Sequence, residues 1–236
     1  MAEPLVFLPG LMCDARLFGP QIAELSSEFS IMVSPVTRGE RIEEIASGLL
    51  DELPARFALA GLSMGGIVAM ELLRRAPDRV SRLALLDTSP LAETPQAAAA
   101  REPQIVKARA GRLHQVIRDE MLPSYLGPGP FRNEISELVL DMADALGPDT
   151  FVRQSRALQR RRDQQGTLRK CRAPTLVLCG AHDALCPVKR HTFMAELIHG
   201  AELRVLDTAG HLPTLEAPAE TTQALRDWMR QPLILR

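Results

Sequence analysis

The sequence predicts an α/β fold: a three-layer α/β/α sandwich around a mainly parallel sheet of about six strands, with an inserted helical segment. Three observations lead there. Six short apolar runs recur along the chain, helical patterns fill most of the gaps between them, and one long stretch is helical in pattern throughout. Strands and helices in alternation imply right-handed crossovers, hence parallel strands with helices on both faces. At 236 residues the chain can bury a core that stands without disulfide or metal staples.

The runs are Leu5–Leu8, Ile31–Val33, Phe57–Ala60, Leu83–Leu86, Thr175–Cys179 and Leu203–Leu206. Most are continuous rather than alternating, as in strands covered on both faces. After the second run Ile42, Ile45, Leu49, Leu50 and Leu53 recur at helical spacing. After the third, Ile67, Ala69, Met70, Leu72 and Leu73 do the same until Pro77 stops the helix. Pro187–Ile198 and Pro218–Met229 each open on a proline, which suits a first helical turn because its missing N–H has no intrahelical partner to lose. Residues 91–172 break the alternation: they offer no strand, only helical patterns cut by Gly127-Pro128-Gly129-Pro130 and Gly147-Pro148. This stretch carries a charge of +4 and the remainder −5. Because the strand–helix pattern resumes after it, the expectation is an insertion between the fourth and fifth strands, with residues 1–90 and 173–236 as the core.

Composition narrows the class. Hydrophobic residues at 46% and charged residues at 24% exclude a disordered chain. A net charge of −1 argues against a dedicated nucleic-acid binder, which carries a strongly basic face. No apolar run reaches the ~18 residues that cross a bilayer, and Met1-Ala2-Glu3-Pro4 lacks the basic region and apolar stretch of a secretory signal. Cys13, Cys171, Cys179 and Cys186 show neither paired metal spacing nor the density of a disulfide scaffold. The expectation is a soluble, cytoplasmic protein with reduced cysteines that binds neither nucleic acid nor membrane.

Chemistry concentrates after the third run, in Gly61-Leu62-Ser63-Met64-Gly65-Gly66. A G-x-S-x-G turn from a buried strand into a helix holds the serine in a strained backbone with its hydroxyl above the sheet edge. Glycines flank it because side chains there would strike the neighbouring strand or helix. The helix start adds free N–H groups and the positive end of its dipole. A serine hydroxyl needs a base to become a nucleophile. His211, in Asp207-Thr208-Ala209-Gly210-His211-Leu212-Pro213, leaves the last run at the edge where Ser63 sits. His114, His191 and His199 read as solvated residues of helical stretches, and His182 as a loop residue. The orienting acid is Asp183, in the loop after the fifth run, with Asp87 at the end of the fourth as competitor. Ser63, Asp183 and His211 follow the chain order expected of such an elbow. The N–H groups of Leu11 and Met64 are candidate oxyanion donors, with Gly10 letting the Leu11 loop fold close to the serine. Met12, Cys13, Tyr125 and Leu126 are candidates for an apolar pocket wall. No metal or organic cofactor is implied, since nucleophile, base and donors all come from the chain.

Together these residues resemble the α/β-hydrolase family, specifically its small serine esterase and lactonase members. The resemblance spans nearly the whole chain. It rests on the elbow at Gly61–Gly65, the Gly-x-x-Asp-x-x-x-Pro loop at 180–187, and Gly210-His211 leading into Pro218-Ala219-Glu220. It implies that residues 91–172 form a helical cap and that a small-molecule ester or lactone is cleaved through an acyl-enzyme. Pro9-Gly10 stands where members commonly carry His-Gly. The antiparallel hairpin that usually precedes the Leu5–Leu8 strand has no room, so all strands are expected to be parallel. Serine at the elbow argues against epoxide hydrolases and haloalkane dehalogenases, relatives that use aspartate there. Lactonase, carbon–carbon bond hydrolase, thioesterase, triad lyase and a non-turnover small-ligand receptor stay open. The cap is rich in arginine (Arg101, Arg109, Arg112, Arg118, Arg153, Arg156). One pointing inward would hold a substrate carboxylate, whereas arginines on amphipathic helices are otherwise solvated.

Overall fold

The computed structural model describes residues 3–233; Met1, Ala2 and the last three residues of the expected core lie outside it. Six strands pair into one sheet: β1 (Leu5–Leu8), β2 (Ile31–Val33), β3 (Phe57–Leu62), β4 (Val80–Leu86), β5 (Thr175–Gly180) and β6 (Glu202–Leu206). Every pairing is parallel, in the order β2-β1-β3-β4-β5-β6. The four inner strands are buried along their whole length, while β2 and β6 at the edges are partly exposed. Burial on both faces is why the inner runs lack alternation. Strand β4 starts three residues earlier than its apolar run because Ser81 and Arg82 are buried too. The Arg82 guanidinium meets the Glu3 carboxylate and donates to the Trp228 carbonyl (3.2 Å), so a polar residue occupies an inner strand with its hydrogen bonds made.

Helices α1 (Gly19–Leu25), α2 (Ile42–Glu52) and α3 (Met64–Arg75) fall within the first four strands. Between β4 and β5 the described residues form no strand. They form α4 (Pro95–Lys107), the short α5 (Leu113–Gln115) between wider-wound turns, α6 (Arg132–Gln159) and α7 (Gln165–Arg169). Gly147, at φ +76°, interrupts α6 immediately before Pro148. The rest of the chain supplies α8 (Val188–Leu197), α9 (Pro213–Glu216) and α10 (Pro218–Arg230). Helix α3 lies along β1, β3 and β4 beside α2, and α8 covers β5 and β6; α1 packs on α10, which reaches β5. The result is the three-layer sandwich. Phe7 stacks on Phe18 with centroids 4.4 Å apart, and the fully buried Trp228 donates its indole N–H to the Pro174 carbonyl (3.1 Å). Among the described residues no helix is long and apolar enough to cross a membrane.

From β1 the chain steps outward to β2, then returns across β1 to β3 and continues to the other edge. At this reversal the connections leaving β1 and β3 part to opposite sides and open a crevice at the carboxyl ends of the strands. The Leu11 loop and Ser63 both leave the sheet there.

Candidate active site

Three residues other than glycine have a positive φ among those described: Met12 (54°), Ser63 (54°) and Asp87 (42°). They follow β1, β3 and β4 at the same sheet edge. Each such conformation costs about 1–3 kcal/mol and persists only where its surroundings enforce it. Here the Ser63 N–H donates to the Leu86 carbonyl (2.9 Å), the Asp87 N–H to that of Leu178 (3.0 Å), and the Thr88 hydroxyl to that of Ser63 (2.7 Å). The elbow also demands close backbone contact. A Cβ on Gly61 would stand 2.4 Å from the Gly65 carbonyl oxygen, and one on Gly65 would stand 2.0 Å from that of Leu8.

Ser63 Oγ lies 2.8 Å from His211 Nε2, and His211 Nδ1 lies 2.8 Å from Asp183 Oδ2. The carboxylate beside Nδ1 places the ring proton on that nitrogen, leaving the Nε2 lone pair for the serine hydroxyl, an assignment made from the hydrogen-bond network. The imidazole is 2% exposed and the Asp183 side chain 0%, so water competes for neither contact. Asp183 Oδ1 accepts the N–H groups of Leu185 (2.8 Å) and Cys186 (2.9 Å). Burial by itself would raise the Asp183 pKa. The His211 hydrogen bond and charge, with the Cys186 N–H, outweigh it and hold the carboxyl at about 2. Asp87, the competing acid, instead accepts the Gly180 N–H (3.0 Å). Complete burial and then the neighbouring Asp183 charge push its carboxyl well above the usual carboxylate range.

Residues 5–224 match the alpha/beta hydrolase family. The chain belongs to that family. Pimeloyl-(acyl-carrier protein) methyl ester esterase of Aromatoleum aromaticum is 30% identical over 210 residues, 82% of this chain and 82% of its own. Among solved structures, a thermophilic esterase from Thermogutta terrifontis (malate bound) superposes with a TM-score of 0.89 at 30% identity, covering 97% of this chain and 89% of its own. The enol-lactonase of Burkholderia xenovorans LB400 gives 0.86 at 25%, covering 97% and 91%. By this kinship the chain is an enzyme, a hydrolase.

The remaining features of the candidate site surround these three side chains. Leu11 and Met64 are both buried and border the cavity that Ser63 opens into. Among the described residues neither of their N–H groups has a hydrogen-bond acceptor. The loop carrying Leu11 is braced from α6, where Gln154 accepts the Met12 N–H (2.9 Å) and donates to the Val36 carbonyl (3.1 Å). The cavity measures about 390 Å³. Tyr125 lines it, and the ring sits 5.4 Å from that of His211. Met12, Cys13 and Leu126 do not. All three are buried outside the lining, and for Met12 and Cys13 the left-handed turn at Met12 carries their loop into the core.

Two groups that pattern alone does not single out hold the site together. Glu216 in α9 accepts the N–H groups of Gly210 (3.0 Å) and Leu212 (2.8 Å), one on each side of His211, and that of Gly127 (2.7 Å). The His211 N–H itself donates to the Tyr125 carbonyl (2.7 Å). The sequence signal was an acid one turn into a short helix, too common a pattern to read. His191, expected on the surface, is fully buried. Its Nε2 accepts the Thr88 N–H (3.1 Å), and Nδ1 faces the Pro187 carbonyl (3.4 Å). Burial pulls its pKa down to about 4, so it is a neutral strut from α8 to the elbow brace. Its charged sequence neighbours, Arg190 among them, disguised that role. His114 does lie at the surface, between Asp144 and Arg118, and His199 is exposed.

Asp183, Cys186 and His211 also bring three ligand-type atoms within 4.8 Å of one another. Burial pushes the Cys186 thiol up to about 12, and the facing atoms of Asp183 and His211 are engaged with each other. The set fits a hydrogen-bonded chain better than a metal cradle, whose thiol ligand must be ionised.

Proposed function

We propose that the enzyme hydrolyses carboxylic esters of small molecules, with Ser63 as nucleophile, His211 as general base and Asp183 as the acid that orients it. The observation that carries this reading is the continuous pair of 2.8 Å contacts, Ser63 Oγ to His211 Nε2 and His211 Nδ1 to Asp183 Oδ2. They begin at a serine held in a strained elbow. The kinship agrees with it: the chain is a carboxylic ester hydrolase with esterases among its relatives.

In this mechanism Ser63 Oγ attacks the ester carbonyl carbon as its proton passes to Nε2. The negative oxygen that forms is met by the N–H groups of Leu11 and Met64, which need not reorganise because nothing in the fold occupies them. The imidazolium that results is stabilised by the Asp183 carboxylate. It then protonates the leaving alkoxide, and the acyl-Ser63 ester is hydrolysed by water activated through the same nitrogen. Residues 91–172 serve as a cap whose Tyr125 closes one wall. The enol-lactonase neighbour supports cyclic esters as a second substrate form, since ring opening needs the same groups. Four unpaired cysteines accord with a reducing compartment, and we assign the enzyme to the cytoplasm.

The test is Ser63→Ala on p-nitrophenyl acetate or butyrate. If the three residues act as a unit, kcat falls by roughly 10⁴–10⁶. A loss smaller than about tenfold would remove Ser63 as nucleophile. Ligand-dependent capture of a partner without turnover would instead support the receptor reading.

A further inference from the structure

Of the six cap arginines prominent in the sequence only Arg101 borders the cavity, and two others join it there: Arg161, just beyond α6, and Arg190, in the first turn of α8. Their surroundings are unbalanced. Glu93, with a side chain 5% exposed, takes Arg101 in a paired contact (2.8 and 2.9 Å) and stands 3.5 Å from Arg161. Arg161 is 12% exposed and anchored by its Nε–H to the Leu91 carbonyl (3.0 Å). Arg190, half-buried, has no carboxylate partner among the described residues. The other acidic side chains there are engaged elsewhere: Glu120 by Lys107 (2.6 Å), and Asp87 by the Gly180 N–H (3.0 Å) that it accepts. Three guanidiniums thus gather around one carboxylate, Glu93, in the space that Ser63 faces, and Arg190 is left without an acidic partner there. Burial weakens the hold of Arg161 on its proton, with Glu93 countering and the charges of Arg101 and Arg190 adding to the effect. Like charges gathered away from water are unfavourable unless something negative joins them.

We propose that Arg161 and Arg190, steadied by the Arg101–Glu93 pair, form a subsite for a free carboxylate at the far end of the ester substrate. The substrate class is then a small ester or lactone that keeps an ionised carboxyl group, such as a dicarboxylic monoester. A planar guanidinium fork matches a carboxylate with two parallel N–H···O bonds, which an ammonium does not. The elbow sets where the carbonyl reacts, and the arginines set which molecule is long enough and anionic enough to reach both. This rests on the Ser63 mechanism proposed above.

The experiment compares kcat/KM for monomethyl esters of short dicarboxylic acids, in a series of increasing length, with length-matched methyl alkanoates. The expected result is a preference of about 10- to 100-fold for the anionic ester at one optimal length, the range for hydrogen bonds to a charged group. In Arg190→Gln that ratio falls at least tenfold, through KM. Arg190→Lys, which keeps the charge and loses the fork, falls in between. Arg190 is the residue to change because it has no ion pair to break on folding, and a melting curve checks that it folds. A ratio near one in the native enzyme, or one that Arg190→Gln leaves intact, overturns the subsite. The parent reading fails separately, through Ser63→Ala hydrolysing the neutral ester as well as the native enzyme does.

Discussion

Replacing Asp183 with Asn separates the two carboxyl groups at the sheet edge and tests how the imidazole is held. Asp183 uses both oxygens: Oδ1 accepts two main-chain N–H groups at 2.8 and 2.9 Å, and Oδ2 faces His211 Nδ1 at 2.8 Å. An asparagine has one acceptor oxygen, and the two N–H groups of Leu185 and Cys186 claim it. Its amide N–H then points at Nδ1, which must give up its proton and become an acceptor. The ring proton moves to Nε2, where it donates toward Ser63 Oγ and cannot take the hydroxyl proton. The proposed mechanism therefore predicts a fall in kcat of roughly 10⁴, the effect of a wrong tautomer in this arrangement, or about 5.5 kcal/mol of transition-state stabilisation. KM should change little, since Asp183 does not border the cavity. Initial rates on p-nitrophenyl butyrate measure it, with circular dichroism to show that the fold persists. Asp87→Asn, which keeps an acceptor for the Gly180 N–H, should lose less than tenfold. The reverse pattern, an active Asp183→Asn beside an inactive Asp87→Asn, would refute the assignment of the acid.

Glu216→Gln deprives at least one of three N–H groups around His211 of its acceptor, so stability should fall by about 2 kcal/mol and kcat by up to about 10²-fold as the imidazole drifts. Unchanged melting and turnover would contradict its positioning role. Gly65→Ala sets a Cβ 2.0 Å from the Leu8 carbonyl oxygen; a loss of about 3 kcal/mol, the upper end of the overpacking range, should show in the denaturant midpoint. Buried His191 titrates near 4 when folded and near 6.5 when unfolded. The unfolded chain therefore binds more protons between those values, and stability falls on acidification through that window, by about 3 kcal/mol from this group. Urea unfolding at neutral and acidic pH measures it, and His191→Asn should flatten the difference. Cys186 borders the cavity but is a neutral thiol, so iodoacetamide at pH 7 should leave activity intact, and rapid inactivation would argue otherwise.

What the chain states by itself is local and periodic. Apolar runs marked every strand, and in the inner strands they are nearly continuous because burial on both faces leaves no alternation. The edge strand β6 gave the same apolar signal although much of it is exposed, and β4 ran past its apolar run because Arg82 is buried through distant Glu3 and Trp228. The elbow, the 180–187 loop and Gly210-His211 were readable because strained turns demand particular residues at fixed spacing. Which carboxylate meets the imidazole was legible only as a preference for Asp183 over its competitor Asp87. Asp87 and Asp183 both follow strands at the same edge, and the three-dimensional approach gives Asp183 the ring and leaves Asp87 against the Gly180 N–H. The same holds for Glu216, Gln154 and His191, whose partners lie on separate elements, and for Arg161 and Arg190, ordinary surface residues in sequence. Periodicity encodes what a residue does to its own helix or strand. Contacts between remote segments depend on how those elements pack, and no spacing along the chain records that.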